Sequence, residues 1–298
     1  MTTTIESETI FPRRYAVLSM DIEDWYHLDY FQHGSCNRSY SMLDGLDVYL
    51  EMLDDLGVPS SFFCVGEIAS ELASRLRTIA DQGWDVGSHT YTHRRPLTLS
   101  IDEFRAELSR SKETIEDITQ KPADGFRAPC FSIDEARLDA VQQAGFLYDS
   151  SRIEFSSHPL YGTLDLDGFN TLSDCTYRQG DFFEFEAPTT SVFGKNLPIS
   201  GGGYLRIFPW FVMRRLITRY CDQHMFYTLY IHPFELSRRE PPKLPHSISW
   251  KTRRRFRTGI GKVEKKLEAL VRLLKSKGFT LTTFSELRQR YLKETALG

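Results

Sequence analysis

Tyr15-Ala-Val-Leu-Ser-Met-Asp-Ile-Glu-Asp24 sets an apolar run, Tyr15–Met20, directly against three carboxylates, Asp21, Glu23 and Asp24. A short apolar run of this kind reads as a buried strand. Working outward, Leu43, Leu46, Leu50, Leu53 and Leu56 recur at three- and four-residue spacing, which predicts a helix over Leu43–Leu56. Gly57 stands just past its end, where a left-handed residue is needed. Val58–Val65 reads as a second strand, Ile68–Ala80 as a second helix and Trp84–Ser88 as a third strand. A capping box, Ser100-Ile-Asp-Glu103, opens a helix to about Thr119, and the alternation continues through Gly125–Ala128, helix Asp134–Ala144 and strand Phe146–Tyr148.

Repeated strand–helix units of this length imply parallel strands joined by right-handed crossovers, so the fold class is α/β, as a barrel or a doubly wound sheet. No G-x-G-x-x-G or P-loop follows the first strand, which favours the barrel. Residues 152–206, rich in Gly, Asp, Ser and aromatics, predict an irregular insertion of loops and short antiparallel strands near one mouth. Helix Pro209–His224 and strand Met225–Ile231 resume the pattern. A proline-rich excursion, Glu235–Gly261, contains the run Lys251-Thr-Arg-Arg-Arg-Phe-Arg257. Helix Lys262–Lys277, strand Phe279–Thr282 and a capping box, Thr283-Phe-Ser-Glu286, follow. The expected organisation is a tail over 1–14 and one domain over 15–298.

The composition, 298 residues with 41% hydrophobic and 26% charged, is that of a globular protein with a large core, not a disordered or collagenous chain. A net charge of −3 argues against a nucleic-acid-binding polycation, but the charge is unevenly placed. Residues 238–298 hold 17 Lys and Arg against 5 Asp and Glu, a surplus of 12 positive charges, leaving residues 1–237 with an excess of 15 negative ones. Five widely spaced cysteines without a C-x-x-C pair fit a reducing compartment. The N-terminus carries acids where a secretory signal needs a basic and then an apolar region, and no run approaches the roughly 18 apolar residues of a membrane span. A cytoplasmic protein is expected.

Four polar clusters fall at the C-terminal ends of different predicted strands, the face on which parallel α/β barrels build their sites. Asp21, Glu23 and Asp24 repel one another unless a cation or proton sits among them. Ser88-His-Thr-Tyr-Thr-His93 presents two imidazoles, four residues apart, to one divalent ion. Arg127, in Gly125-Phe-Arg-Ala-Pro-Cys-Phe131, is placed to pair with a first-cluster carboxylate and keep it ionised. Cys130 beside it is assigned no role. His232 ends the apolar strand Tyr227–Ile231, where an imidazole serves as a general acid near neutral pH.

At these residues the chain resembles the polysaccharide deacetylase family, the NodB-like carbohydrate esterases of family 4, and within it the branch found in exopolysaccharide gene clusters. The resemblance runs from Tyr15 to about Phe284. The family's acidic motif corresponds to Asp21-Ile-Glu-Asp24, its Ser-His-x-x-x-His to Ser88-His89 through His93, its Arg-x-Pro to Arg127-Ala-Pro129, and its Leu-x-His to Tyr230-Ile-His232. Gly201-Gly-Gly-Tyr-Leu-Arg206 and Tyr148-Asp-Ser-Ser151 also resemble features of the branch.

What the resemblance implies is a distorted (β/α) barrel of the polysaccharide deacetylase type and metal-dependent removal of N-acetyl groups from an amino sugar in a bacterial polysaccharide or its precursor. It implies Asp21 as base, held by Arg127, and His232 as the acid that protonates the departing amine. It also implies a divalent metal, zinc foremost, on His89, His93 and one acid. The acids of the common form are adjacent; here Ile22 and Glu23 separate Asp21 from Asp24. Asp24 is the expected ligand because its short side chain matches the family's ligand type, with Glu23 as the alternative. Trp25, Tyr26, Tyr91, Phe131 and Trp210 are candidate flat faces for sugar rings, Trp25, Tyr91 and Phe131 foremost. A cyclic amide or ureide hydrolase and a non-catalytic glycan-binding protein are the competing readings. The basic portion follows the last of these motifs, and Lys251–Arg257 with helix Lys262–Lys277 is expected to face an anionic membrane surface or a phosphate-bearing glycan carrier.

Overall fold

The computed structural model describes residues 13–32, 36–155, 158–192 and 194–296; the expected tail lies, up to residue 12, outside them. The first half alternates as the periodicity predicts: β1 (Arg14–Ile22), a short α1 (Asp29–Gln32), α2 (Asp44–Leu56), β2 (Ser61–Cys64), α3 (Gly66–Ala69), α4 (Ala73–Asp81), β3 (Asp85–Ser88), α5 (Ile101–Thr119), β4 (Gly125–Phe126), α6 (Glu135–Gln143) and β5 (Tyr148–Asp149). Gly57 ends α2 at φ 58°, and Ser100 with Glu103 forms the reciprocal cap of α5.

Five short strands occupy the expected insertion: β6 (Asn170–Ser173), β7 (Thr176–Gln179), β8 (Phe182–Phe185), β9 (Thr189–Val192) and β10 (Lys195–Pro198). One departs from expectation. β8 runs parallel to β5 and belongs to the main sheet, because all four of its residues are buried. Next come α7 (Gly202–Ile207), α8 (Trp210–Cys221), β11 (Phe226–Ile231), α9 (Pro233–Leu236), α10 (Trp250–Arg257), α11 (Val263–Ser276), β12 (Phe279–Leu281) and α12 (Phe284–Ala296). α10 lies inside the proline-rich excursion.

The main sheet has the order β11-β1-β2-β3-β4-β5-β8-β7-β6, parallel from β11 to β8 and antiparallel beyond, with β12 also paired to β1. It curls without closing: among the described residues no ladder joins β6 to β11. The distorted barrel is therefore an open, curled one.

Alternation along each strand decides what faces the inside of the curl. On β1, Ala16, Leu18, Met20 and Ile22 pack into the core shared with the outer helices, whereas Tyr15 and Val17 join Phe63, Tyr148, Phe183, Phe185, Phe226 and Phe284 within. The interior is tight. A Cβ on Gly125 would lie 2.2 Å from the Tyr148 ring, so the short β4 keeps a glycine there. The interior row of β1 then runs from apolar Tyr15 and Val17 to polar Ser19 and Asp21. On β11 it runs from Phe226 through Thr228 and Tyr230 to His232. The curl thus has an aromatic floor and a polar mouth.

Candidate active site

Arg127, buried at the end of β4, organises the mouth. Its Nη1 donates to Asp21 Oδ1 and to Ser19 Oγ, both at 2.8 Å, while Nε and Nη2 donate to the carbonyl and hydroxyl of Ser150, both at 2.9 Å. The guanidinium also lies 4.2 Å from the Phe63 ring centroid. With four hydrogen bonds to fixed partners, Arg127 balances the charge of Asp21 and orients it.

Glu23, His89 and His93 converge beside Asp21, their donor atoms within 4.8 Å of one another, and all three are about 2% exposed. Glu23 Oε2 approaches His93 Nε2 to 2.5 Å in a fully buried carboxylate–imidazole contact. Burial alone would push the Glu23 carboxyl up; the adjacent His93, His232 and His89 outweigh it and hold the group well below the usual carboxylate range. Burial pushes His89 down to about 4, which keeps its ring neutral. Its Nδ1 lies 2.7 Å from the Arg127 carbonyl, so that nitrogen carries the hydrogen and Nε2 offers its lone pair.

The loop bearing the two histidines is a strained turn, with Thr90 at φ 62° and His93 at φ 58°. Glu107 on α5 pins it, accepting from the amides of Tyr91 at 2.9 Å and Thr92 at 2.7 Å.

His232 faces the same point from the end of the neighbouring strand β11, with Nε2 at 3.4 Å from Glu23 Oε1 and 4.0 Å from Asp21 Oδ2. Its Nδ1 lies 3.2 Å from Glu235 Oε2, and Glu235 Oε1 accepts from Arg206 Nε at 3.2 Å. Burial alone would lower the His232 pKa. The Glu235 hydrogen bond and the charges of Glu23, Glu235 and Asp21 overcome it and push the group up to about 9. The ring is therefore protonated at neutral pH and points a proton into the mouth.

Asp24 turns away from this set, which corrects the expectation that it joins the histidines. Its Oδ1 accepts from the Trp25 amide at 2.8 Å and the Met42 amide at 2.9 Å, so it caps a helical turn and ties down the segment before α2. Asp21 and Glu23, two residues apart, reach the interior, and Asp24 falls on the other side. Strand alternation is the signal that distinguishes the two acids.

Trp25 is likewise corrected as a sugar platform: it is fully buried against Phe31 and Phe256, with its indole N–H donated to the Tyr40 carbonyl. Tyr91 lies outside the cavity, covered by the Arg110 guanidinium 3.7 Å from its ring centroid. Tyr26 and Trp210 are also absent from the cavity wall. Phe131 does line it, packed on Tyr230 and Tyr161.

Asp21, Glu23, His89, His93 and His232 line one cavity of about 140 Å³. Tyr30, His158 and Tyr204, with Thr252, Arg255 and Phe256 of α10, complete its outer wall. Cys130 also lines it, but burial raises its thiol pKa, so it stays protonated and is no nucleophile.

Sequence reasoning missed Glu235 and Arg206 as partners of His232. The two segments quoted as branch features supply the supports: Ser150 holds Arg127, and Arg206 holds Glu235. A Cβ on Gly202 would lie 2.1 Å from Glu235 Oε2, so the glycine makes room for that carboxylate.

Residues 43–148 match the family model for polysaccharide deacetylase, and residues 150–287 match a domain of unknown function, DUF3473. Among curated proteins, the peptidoglycan deacetylase of Helicobacter pylori is 26% identical over 117 residues, 39% of this chain and 40% of that protein. The alignment thus spans about two fifths of that relative's length. Among solved structures, a Mycobacterium smegmatis protein classed as a polysaccharide deacetylase is 17% identical with a TM-score of 0.60, over 96% of this chain and 93% of that one. A family 4 carbohydrate esterase pseudoenzyme from Bacillus anthracis has a TM-score of 0.53 at 17% identity, over 93% of this chain and 66% of that one.

Proposed function

Since the chain belongs to the polysaccharide deacetylase family, we propose that it is a hydrolase that removes acetyl groups from the nitrogen of N-acetylated sugars in a polysaccharide or its precursor. The observation that supports this reading is the convergence, in one cavity, of an arginine-held carboxylate, a three-donor set and a protonated imidazole. The fold alone does not carry it, since a pseudoenzyme shares the architecture.

The donors suit a divalent cation, zinc foremost: one buried carboxylate and two buried imidazoles, one of them fixed through its other nitrogen. Held by Glu23, His89 and His93, the cation would polarise the acetamide carbonyl and acidify a water. Asp21 accepts the proton of the attacking water, its Oδ1 fixed by Arg127 and its Oδ2 turned toward His232. As the carbon–nitrogen bond breaks, His232 gives its proton to the departing amine, and Glu235 keeps the imidazole charged and aimed. All five cysteines are free, which supports a reducing, cytoplasmic setting.

Acetate released from N-acetylated oligosaccharides, followed enzymatically and by mass spectrometry, tests the reading. We expect release by the wild type and its loss, by at least about 100-fold, in Asp21→Asn, with circular dichroism showing the variant, which melts lower because Arg127 loses its partner, still folded at the assay temperature. Release unaffected by the substitution overturns it.

A further inference from the structure

We propose that the acetylated sugar taken by this site carries an oxyanion, phosphate or carboxylate, and that Arg255 receives it; the inference rests on the deacetylase reading of the same cavity. It starts from where the surplus positive charge sits. Several other cations of the C-terminal portion are engaged: Arg238, Arg239, Arg272, Lys277 and Arg290 with carboxylates, and Lys266, Lys275 and Arg288 with backbone carbonyls. α10 carries the densest run of positive charge. Five of its eight residues are Lys or Arg, none is acidic, and none of the five has a carboxylate within 4.0 Å among the described residues. Arg253 is spent on the carbonyls of Leu244, Pro245 and Ile248.

The helix is rigidly placed over the catalytic groups. Phe256 is buried against Trp25, Phe31 and Phe234, and Thr252, Arg255 and Phe256, spaced by three and four, line the cavity that holds Asp21 and His232. Arg206, which fixes Glu235, also donates to the carbonyls of Arg255, Phe256 and Thr258, so the end of α10 is already capped by a cation. The helix terminus therefore gives no reason for Arg255 to be positive. Its guanidinium lies 5.6 Å from the centroid of the half-open Tyr30 ring, and the acids in reach of the cavity are committed: Asp21 to Arg127, Glu235 to Arg206, Asp29 to Arg95. What remains is an exposed planar fork, uncompensated, on the wall of a site whose chemistry lies deeper. Such a fork matches a carboxylate or phosphate in two-point geometry. Lys251, one turn away on the same face, extends the positive rim.

The test compares kcat/KM for acetate release from three probes: neutral tetra-N-acetylchitotetraose, a hyaluronan tetrasaccharide with carboxylates, and UDP-N-acetylglucosamine with a pyrophosphate. Wild type, Arg255→Ala and a control, Lys121→Ala at an exposed site, are assayed alongside calorimetric binding of the same probes. The wild type should favour one anionic probe over the neutral one, and R255A should reduce that preference by roughly tenfold to a hundredfold, with K121A leaving it in place. The preferred anion identifies carboxylate or phosphate as the source. Equal use of all probes, or a preference that survives R255A, overturns the proposal while the deacetylase reading stands. Anionic binding lost in R255A without acetate release from any probe sustains the proposal and refutes the deacetylase reading.

Discussion

Glu23 meets His93 at 2.5 Å in the mouth of the curl, whereas Asp24 accepts two backbone amides on the far side of the same peptide. Their substitutions should therefore separate. Glu23→Gln removes a donor, so divalent metal affinity should fall by more than the about 10–100-fold typical of losing an outer-shell partner, at nearly unchanged thermal stability. Asp24→Ala should retain the metal but cost about 1–2 kcal/mol of stability through the lost cap. Metal titration and thermal melting of both variants check the pair. His232 carries a second prediction. Its folded pKa is raised, so the protonated acid is present below about 9 and is lost as pH rises through that value. A bound cation lowers the figure further, which places the alkaline limb of kcat at or below about 9. Glu235→Gln removes the chief cause of the raised value, so the limb should move to lower pH by about one unit. A pH–rate profile unmoved by E235Q would dismiss Glu235 as the group that tunes His232.

At the scale of elements, the site is the meeting of strand ends and the segments that brace them. Gly202, at the start of α7, leaves the space Glu235 occupies, so Gly202→Ala should displace that carboxylate and lower kcat by about tenfold or more with little change in KM. A G202A enzyme with wild-type kcat would show that the support is dispensable. Much of this level was legible in advance. The leucine spacing of α2 and the capping box of α5 fall within a residue of expectation, and Asp21, His89, Arg127 and His232 each stand at or just past the end of a strand. Side-chain length pointed to Asp24, whereas the alternation of the strand, which that reading did not use, sets Glu23 beside Asp21 and Asp24 on the other side. Trp25 and Tyr91 were misread because aromaticity does not tell a packed ring from an exposed platform. The Arg206–Glu235 pair spans 29 residues, and α10 follows a proline-rich stretch; neither placement has a local periodicity to announce it.

Across the whole molecule, negative charge is in excess before residue 238 and positive charge after it. β12 pairs with β1 and α12 packs Phe284 and Leu287 into the interior core, so the basic portion is built into the same curled sheet that bears the site. No helix among the described residues is long and apolar enough to cross a membrane. On the proposed function, acetate release depends on a divalent cation held by Glu23, His89 and His93. Chelated wild-type protein should release no acetate from its N-acetylated substrate, and titration with zinc should restore release until one ion is bound per chain. Equal release before and after chelation, or restoration that is the same in a His89→Ala, His93→Ala variant, would contradict it.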